Sequence, residues 1–475
     1  MKKAVVVLLC CLVFVACKKS GLSIYDKGVS KQLAEMRAES LSDITYDLFF
    51  NIPLAKDKAP EGNVKIGFLI KDEIEILLID FRGEGSLIKE VLVDGKKIPL
   101  VYENEHIHID GDYLAKENHI IEISFVSSLM SLNRDESFLY TLLVPDRAST
   151  LFPCFDQPDL KAVFSLELEI PSHWKAMSNS PLIFNEEILV NRRQLCFAPG
   201  KPISTYLFAF TAGEFEEVNY SGEKRNFVMF HRETDKKKVN ANKDEIFRIH
   251  EQSLQWLENY TGIVYPFDKF DFALIPGFQY SGMEHPGCIF YRDSRLILDD
   301  NPPATSLLRR ANLISHETAH IWFGDLVTMK WFDDVWLKEV FAGFMADKII
   351  QPLFPEFNHA LAFLIGHFPK AMSVDRSGGT HPIKQQLDNL NEAGSLYGAI
   401  IYDKAPIVFQ QLEILMGEPV FRSAVRDYLL KYSFRNADWL DLVEVLDAYS
   451  DEDISGWSDQ WIFEKGLPEI TYNIS

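Results

Sequence analysis

A chain of 475 residues is long enough for two or three domains, and its 47% hydrophobic and 25% charged residues are ordinary for a globular protein. The formal net charge of −21 argues against a nucleic-acid partner, because binding to phosphates requires clustered Lys and Arg side chains. The sequence has no internal repeat, no low-complexity tract and no glycine-rich phosphate-binding loop. Together these properties favour a multidomain globular protein.

The N-terminus is typical of a targeting segment, which we predict over residues 1–17. Lys2 and Lys3 precede an unbroken apolar run over 4–16, which is too short for a membrane span, since a span needs about 20 residues. The run and Cys17 resemble a bacterial lipoprotein signal that is cleaved before this cysteine. The resemblance implies a lipid on Cys17 and attachment to a membrane surface of the bacterial cell envelope, facing the periplasm or the outside. An ordinary secretory signal is the alternative.

Residues 18–40 are predicted to form a tether with a short polar helical stretch, and residues 41–212 to form an all-β domain. Apolar residues alternate with others over 65–70, as in a strand that buries one face. The pair Asp94-Gly95 is typical of a hairpin turn. Many short strands without a long helix favour a saddle-shaped sheet or a sandwich.

Residues 213–456 combine strands and helices and are predicted to form one α+β domain. Apolar residues have helical spacing over 244–260, and from Leu307 onward nearly the whole stretch has helical periodicity. Residues 457–475 are predicted to begin a further C-terminal segment with a strand over 467–474. The predicted fold class is therefore multidomain: an N-terminal all-β saddle-like domain followed by an α+β domain that is mostly helical in its second half.

The most informative motif is His-Glu-Thr-Ala-His over 316–320, followed by Glu339 after a gap of eighteen residues. His316 and His320 would share one face of a helix, and a glutamate on a second helix can supply a third ligand. Three protein ligands with one open position are the arrangement of a catalytic zinc site, which activates water for attack on a carbonyl. The alternative is two helix histidines satisfied by neighbours and an exposed glutamate.

The residues around this motif favour two helices. Thr305 or Ser306 can cap the first helix, and Gly324 is a plausible stop after it. A second helix is predicted to begin at 333–334. Glu339 would then lie in its first turns among large apolar residues, where a buried carboxylate needs a partner such as a metal ion.

Further segments, together with the histidine motif, resemble the aminopeptidase N and leukotriene hydrolase family of gluzincin zinc peptidases. The segments follow the family's order along the chain, and the resemblance covers about residues 41–470. Such a combination is far more specific than the histidine motif alone. The segments are Phe-Pro-Cys-Phe-Asp-Gln-Pro over 152–158 with Lys161 and Ala162, Ser-Thr-Tyr-Leu-Phe-Ala-Phe over 204–210, Ser-Gly-Met-Glu-His over 281–285, and Trp-Leu-Lys-Glu-Val-Phe-Ala over 336–342.

The resemblance implies a saddle-like β domain followed by a thermolysin-like zincin catalytic domain, and an enzyme that removes single residues from the N-termini of peptides. It implies one zinc ion held by His316, His320 and Glu339. Glu317, beside the metal, would take a proton from water and return it to the leaving amine.

The resemblance also implies a substrate-binding segment over 281–285. Glu284 would accept the substrate's α-ammonium, so that only a peptide with a free N-terminus docks with its first peptide bond at the metal. Gly282, Met283 and His285 belong to the same segment. A solvated loop carboxylate is the alternative for Glu284.

A tyrosine hydroxyl that stabilises the oxyanion is a further implication of the resemblance. Tyr402, in Ile-Tyr-Asp-Lys-Ala, best matches the family's Tyr-x-Lys-Gly-Ala, and Tyr397 is the alternative. Ala405-Pro406 replaces the family's Gly-Ala. A proline there would force the helix to begin late or to kink.

Other departures from the family pattern fall near the expected amine pocket. Lys338 and Val340 flank Glu339 where the family commonly has Asn and Gly, and His285 replaces an Asn. Leu142 falls where many members have a Gln that helps to hold the amine. The metal motif is therefore intact, whereas the amine pocket is altered.

Three hypotheses follow. The first is a lipid-anchored zinc aminopeptidase that works outside the cytoplasm. The second keeps the metal but changes the specificity, giving an endopeptidase or another hydrolase. The third is a non-catalytic peptide-binding lipoprotein with the same fold, which Glu317 argues against because a binding module needs no general base.

Overall fold

The computed structural model describes residues 23–467 and Thr471. The predicted signal segment with Cys17 lies outside the described residues, and so does most of the strand predicted over 467–474. None of the helices in the described part of the chain is both long enough and apolar enough to cross a lipid bilayer.

The described chain up to Gly213 consists mainly of strands. Many of these strands alternate buried with more exposed side chains, because one face of each sheet packs inward. The elements are α1 (Lys31–Ser40), β1 (Leu41–Asn51), β2 (Glu61–Ile70), β3 (Ile76–Asp80), β4 (Ile88–Val93), β5 (Lys96–Lys97), β6 (Tyr102–Glu103), β7 (His106–Asp110), β8 (Asn118–Val126), β9 (Leu132–Arg134), β10 (Phe138–Thr141), β11 (Val163–Pro171), β12 (Lys175–Ser178), β13 (Leu182–Leu189), β14 (Arg192–Phe197) and β15 (Phe210–Gly213).

Two sheets form the core of this β-rich region. Within the described residues, β1 pairs parallel with β11 and antiparallel with β2 inside an eight-stranded sheet of order β13-β14-β11-β1-β2-β8-β4-β5. A four-stranded sheet of order β12-β15-β10-β9 packs against it. The ring centroid of Phe50 on β1 lies 5.6 Å from that of Phe210 on β15, so buried aromatic side chains join the two sheets.

Helix α1 is docked on the β-rich region. Arg37 is fully buried and donates to both carboxylate oxygens of Asp80 on β3, over 2.6 and 2.9 Å, and to the carbonyl of Leu78. The stretch predicted as a tether therefore contains a packed helix. The polar sequence concealed this packing because the partners of the buried arginine lie about forty residues further along the chain.

The second region combines a small sheet with most of the helices. Its elements are β16 (Glu216–Ser221), β17 (Asn226–His231), α2 (Lys236–Thr261), β18 (Phe272–Ile275), β19 (Gly282–Met283), β20 (Ile289–Arg292), α3 (Asp293–Leu296), α4 (Ala304–His320), β21 (Val327–Thr328), α5 (Val335–Leu353), α6 (His359–Asp375), α7 (Ala405–Met416), α8 (Glu418–Lys431), β22 (Arg435–Asn436), α9 (Trp439–Tyr449) and α10 (Ile454–Ser458). A five-stranded sheet of order β16-β17-β18-β20-β19 precedes the helical part, and α4 packs between α2 and α5. The order of a β-rich region, a mixed region and a helical second half confirms the predicted fold class.

Helix α4 differs from its predicted boundaries. It begins at Ala304, directly after a proline, so Thr305 and Ser306 lie within its first turn and do not cap it. It ends at His320, before the predicted stop at Gly324. The proline explains the start, because its fixed φ suits the beginning of a helix and its missing N–H costs nothing there.

Candidate metal centre and active-site cleft

Helices α4 and α5 pack against each other and bring three potential ligands together. His316 and His320 are one turn apart on α4, and their Nε2 atoms are separated by 3.1 Å. Glu339 on α5 holds its Oε2 atom 3.7 Å from Nε2 of His316 and 3.8 Å from Nε2 of His320. A point equidistant from the three atoms lies about 2.1 Å from each, which matches Zn–N and Zn–O bond lengths. The three side chains therefore fit a zinc ion.

The turn after α4 orients the second histidine. Nδ1 of His320 donates to the backbone carbonyl of Phe323 over 3.1 Å, which leaves Nε2 free to bind a metal. Burial lowers the pKa of His320 to about 4, so the ring is neutral near pH 7. Gly324 has a φ of 141°, and a Cβ at this position would lie 3.3 Å from Nδ1. No group that orients the histidines was predicted from the sequence, although Gly324 could have indicated the tight turn that does so.

The β-rich region supports the same turn. Lys161, from the segment before β11, is partly buried, and its Nζ donates to the carbonyls of Asp325 over 2.7 Å and Leu326 over 3.0 Å. Burial lowers the pKa of Lys161 to about 7. Hydrogen bonds from one region of the molecule therefore hold the backbone that follows the metal-binding helix of the other.

The two glutamates of the histidine motif have opposite electrostatic environments. Burial alone would raise the pKa of Glu339, but the Lys338 ammonium and a hydrogen bond with His316 hold it at about 2. Burial raises the pKa of Glu317 to about 8, with His316 and Lys338 acting to lower it and the neighbouring carboxylates of Glu284 and Glu339 acting to raise it. Glu339 is thus charged, as a ligand must be, whereas Glu317 is a stronger base than an ordinary glutamate.

A glycine makes room for the base. Glu317 lines the cleft on α4, and its carboxyl group lies against Gly282 on β19. A Cβ at Gly282 would collide with that carboxyl group. The predicted substrate-binding segment therefore touches the predicted base directly.

Glu284 is paired inside the protein. Its carboxylate accepts a hydrogen bond from Nζ of Lys338, and both side chains are about 95% buried, with exposed fractions of 5% and 4%. Nζ of Lys338 also lies 3.6 Å from Oε1 of Glu339 and 5.0 Å from the ring centroid of Tyr206. Burial would raise the pKa of Glu284, but the Lys338 ammonium holds it well below its usual range. Lys338 departs from the family pattern at this position, but its pairing with Glu284 was not predicted from the sequence.

His285 lies away from the cleft wall. Its ring is fully buried and packs edge-on against Phe290, with centroids 4.8 Å apart. Burial lowers the pKa of His285 to about 4, so the ring is neutral near pH 7. Met283 and Gly282 line the cleft, as expected for a substrate-binding segment, but the histidine beside them fills space in the core. Leu142 is also fully buried and is not one of the residues that line the cleft.

Both candidate tyrosines line the cleft. The rings of Tyr397 and Tyr402 lie 6.3 Å apart at an interplanar angle of 20°. Burial raises the pKa of each hydroxyl, so both are protonated donors near pH 7. A π-helical turn over Ile400–Lys404 runs directly into α7, and Pro406 lies in the first turn of that helix.

The metal-binding cluster opens onto a cleft of about 870 Å³. This size suits a short stretch of peptide, since small-molecule and cofactor sites commonly enclose about 300–1,000 Å³. The residues that line the cleft include Gly282, Met283, Glu284, His316, Glu317, His320, Lys338, Glu339, Tyr397 and Tyr402. Every predicted site residue except His285 therefore borders one cavity.

Comparison with known proteins agrees with this geometry. Residues 42–207 match the Peptidase M1 N-terminal domain, and residues 246–461 match the Peptidase family M1 domain. The chain belongs to the peptidase M1 family. This finding confirms the resemblance to the aminopeptidase N-type gluzincins that the motifs indicated.

Several curated M1 peptidases are similar over most of this chain. "Probable aminopeptidase 1" of Sulfurisphaera tokodaii is 32% identical over 90% of the chain and 54% of the relative. "Leucyl aminopeptidase" of Saccharolobus solfataricus is 31% identical over 86% of the chain and 52% of the relative. "Puromycin-sensitive aminopeptidase" of Caenorhabditis elegans is 29% identical over 92% and 48%, respectively. The chain spans about half the length of these relatives.

Proposed function

We propose that this chain is a zinc-dependent aminopeptidase that hydrolyses the first peptide bond of peptides. The observation that carries the proposal is the convergence of two imidazole nitrogens and a charged carboxylate at zinc-binding distances, with Glu317 in the same cleft. The relatives named as aminopeptidases support the reaction class. The donor set of two nitrogens and one oxygen suits zinc and leaves a position open for substrate.

The residues of the cleft can divide the chemistry among themselves. A zinc ion held by His316, His320 and Glu339 would polarise the scissile carbonyl and lower the pKa of water. Glu317 would accept the proton of the attacking water and deliver it to the leaving nitrogen, which its raised pKa favours. The hydroxyl of Tyr402, or that of Tyr397, would donate to the developing oxyanion.

A second candidate function is hydrolysis that does not require a free amine. The observation that favours it is the ion pair between Glu284 and Lys338, because the carboxylate expected to accept the substrate's ammonium already has a cationic partner. A non-catalytic peptide-binding role is disfavoured by the buried base beside the metal-binding cluster.

The test begins with zinc content and one conservative substitution. Purified protein should contain one zinc per chain and release aniline from leucyl anilide, and Glu317→Gln should keep the zinc but lower turnover about 10²- to 10⁴-fold. Glu356→Gln, the same change at an exposed position beyond α5, is the matched control and should behave as the wild type. Zinc-free folded protein, or undiminished turnover of Glu317→Gln, would overturn the proposal.

We also propose that the mature protein is exported and anchored by a lipid on Cys17. The support is the short apolar run between the lysines and this cysteine. Mass spectrometry of the N-terminal peptide from membrane fractions should find a diacylglycerol-modified Cys17. An unmodified thiol on a processed chain would leave only an ordinary secretory signal.

A further inference from the structure

Among the carboxylates that line the cleft, Glu284 is the one without a role in the proposed hydrolysis. The carboxylates among the cleft-lining residues are Glu284, Glu317 and Glu339. Glu339 is a ligand and Glu317 is the base, so an entering α-ammonium could be neutralised only by Glu284. That carboxylate is already bound to Nζ of Lys338. The ammonium site on the cleft wall is therefore filled by a side chain of the protein itself.

The surroundings of Lys338 hold it in this position. The side chain is 4% exposed, and its ammonium faces Glu284, the second oxygen of Glu339 and the ring of Tyr206. Its Cδ packs against the turn at Gly324, 3.5 Å from where a Cβ would stand. Withdrawal of the ammonium would leave Glu284 buried without a partner, which is costly because an unpaired buried charge loses its solvation.

The charges of the cleft also oppose a second cation. The three lining carboxylates carry at most three negative charges, which a bound dication and Lys338 already balance. The buried Arg310 also lines the cleft, so an added ammonium would leave excess positive charge. Arg295 and Arg309 line the same cleft and are exposed. A neutral group would neither displace the Lys338 ammonium from Glu284 nor add positive charge to the cleft.

We propose that Lys338 determines specificity by taking the place of a substrate ammonium on Glu284, so that the cleft accepts peptides with a neutral amide at this point. A neutral amide arises from an acylated first residue or from a chain that continues upstream. The inference rests on the zinc-dependent hydrolysis proposed above and develops its second candidate, in which no free amine is required. Removal of the lysine should therefore convert a cleft that does not distinguish free amines from acylated ones into a cleft that selects free amines.

Binding measurements test this role without relying on turnover. Zinc-loaded protein is titrated calorimetrically with leucine amide and with N-acetyl-leucine amide. The wild type should bind the acetylated compound at least as tightly as the free amine. Lys338→Met should bind the free amine about tenfold more tightly than the wild type, with the acetylated compound changed less than twofold. A wild type that prefers the free amine tenfold, or a variant without the gain, would overturn the proposal.

Three control variants separate specificity from folding. Lys338→Arg keeps the cation and should retain the wild-type preference. The double variant Lys338→Met/Glu284→Gln should lose the gain, because the lysine acts through Glu284. If Lys338→Met fails to fold, Lys338→Gln replaces it, since its amide can donate to the Glu284 carboxylate. A gain that persists without Glu284 would contradict the assignment.

Kinetics then identify the source of the neutral amide. Acetyl-leucyl anilide and alanyl-leucyl anilide are compared, and the first products are identified by mass spectrometry. In Lys338→Met the Michaelis constant for leucyl anilide should fall about tenfold with little change in kcat. Wild-type release of acetyl-leucine indicates acylated substrates, and intact alanyl-leucine indicates a continuing chain. If neither wild type nor variant cleaves any substrate, the proposed function fails while the calorimetric result still decides the role of Lys338.

Discussion

The β-rich region and the catalytic cleft each bury a cation against a carboxylate, but the two pairs differ in how completely they are satisfied. Arg37 donates to both oxygens of Asp80, to a backbone carbonyl and to Gln157, and Asp80 also accepts from the backbone N–H of Asp156. Lys338 has one close carboxylate, one oxygen at 3.6 Å and an aromatic face, and it borders a cavity. A pair held by several hydrogen bonds in the core stabilises a fold, whereas a pair with fewer bonds on a cleft wall is placed to meet a ligand.

The largest expected effect is on the free energy of unfolding, which should differ between variants of the two ion pairs. Arg37→Met should lower the free energy of unfolding by about 3–5 kcal/mol, because Asp80 would remain buried with only His106 and the backbone N–H of Asp156 as partners. Lys338→Met should cost less than half as much, since Glu284 borders the cleft. Urea unfolding of the zinc-free variants measures both. Equal losses would mean that the two pairs serve the same structural purpose.

The second prediction concerns which tyrosine hydroxyl of the cleft donates to the developing oxyanion. Tyr402→Phe should lower kcat about 10²-fold with little change in the Michaelis constant, because the hydroxyl acts only on the developing oxyanion. Tyr397→Phe removes the equivalent group from the neighbouring ring and is the matched control. The reverse pattern in steady-state kinetics would assign the oxyanion donor to Tyr397.

The smallest effect concerns the turn that joins the two regions. Gly324→Ala should weaken zinc binding about tenfold, because a Cβ would press on the histidine nitrogen that bonds to Phe323 and the φ of 141° suits only glycine. Competition with a chromogenic chelator measures the affinity. Gly343→Ala, on α5 with open space around its Cβ, should leave it unchanged. Equal affinities in all three proteins would remove this turn from the metal site.

The sequence predicted those features that depend on local periodicity. His316 and His320 share a helix face at any HExxH motif, and α5 carries Glu339 in its second turn as the apolar pattern indicated. The order of strands and helices followed from alternation and helical spacing in the same way. Short-range geometry was therefore sufficient for the metal cluster and for the fold class.

Long-range pairing could not be obtained in this way. Lys338 finds Glu284 across 54 positions, and Arg37 finds Asp80 across 43, so neither partner follows from spacing. His285 was expected in the substrate-binding segment, and only tertiary packing reveals that its ring turns into the core. Residues whose roles depend on which strand lies next to which helix require the folded molecule.

The hydrogen bonds from Lys161 make the two regions mutually dependent. The second region produced alone would lose two hydrogen bonds to backbone carbonyls in the loop that orients His320. Exchange of the β half for that of a distant homologue would then succeed only if a lysine arrived at the same spot. Exchange of halves between relatives of this chain is therefore constrained by one ammonium group.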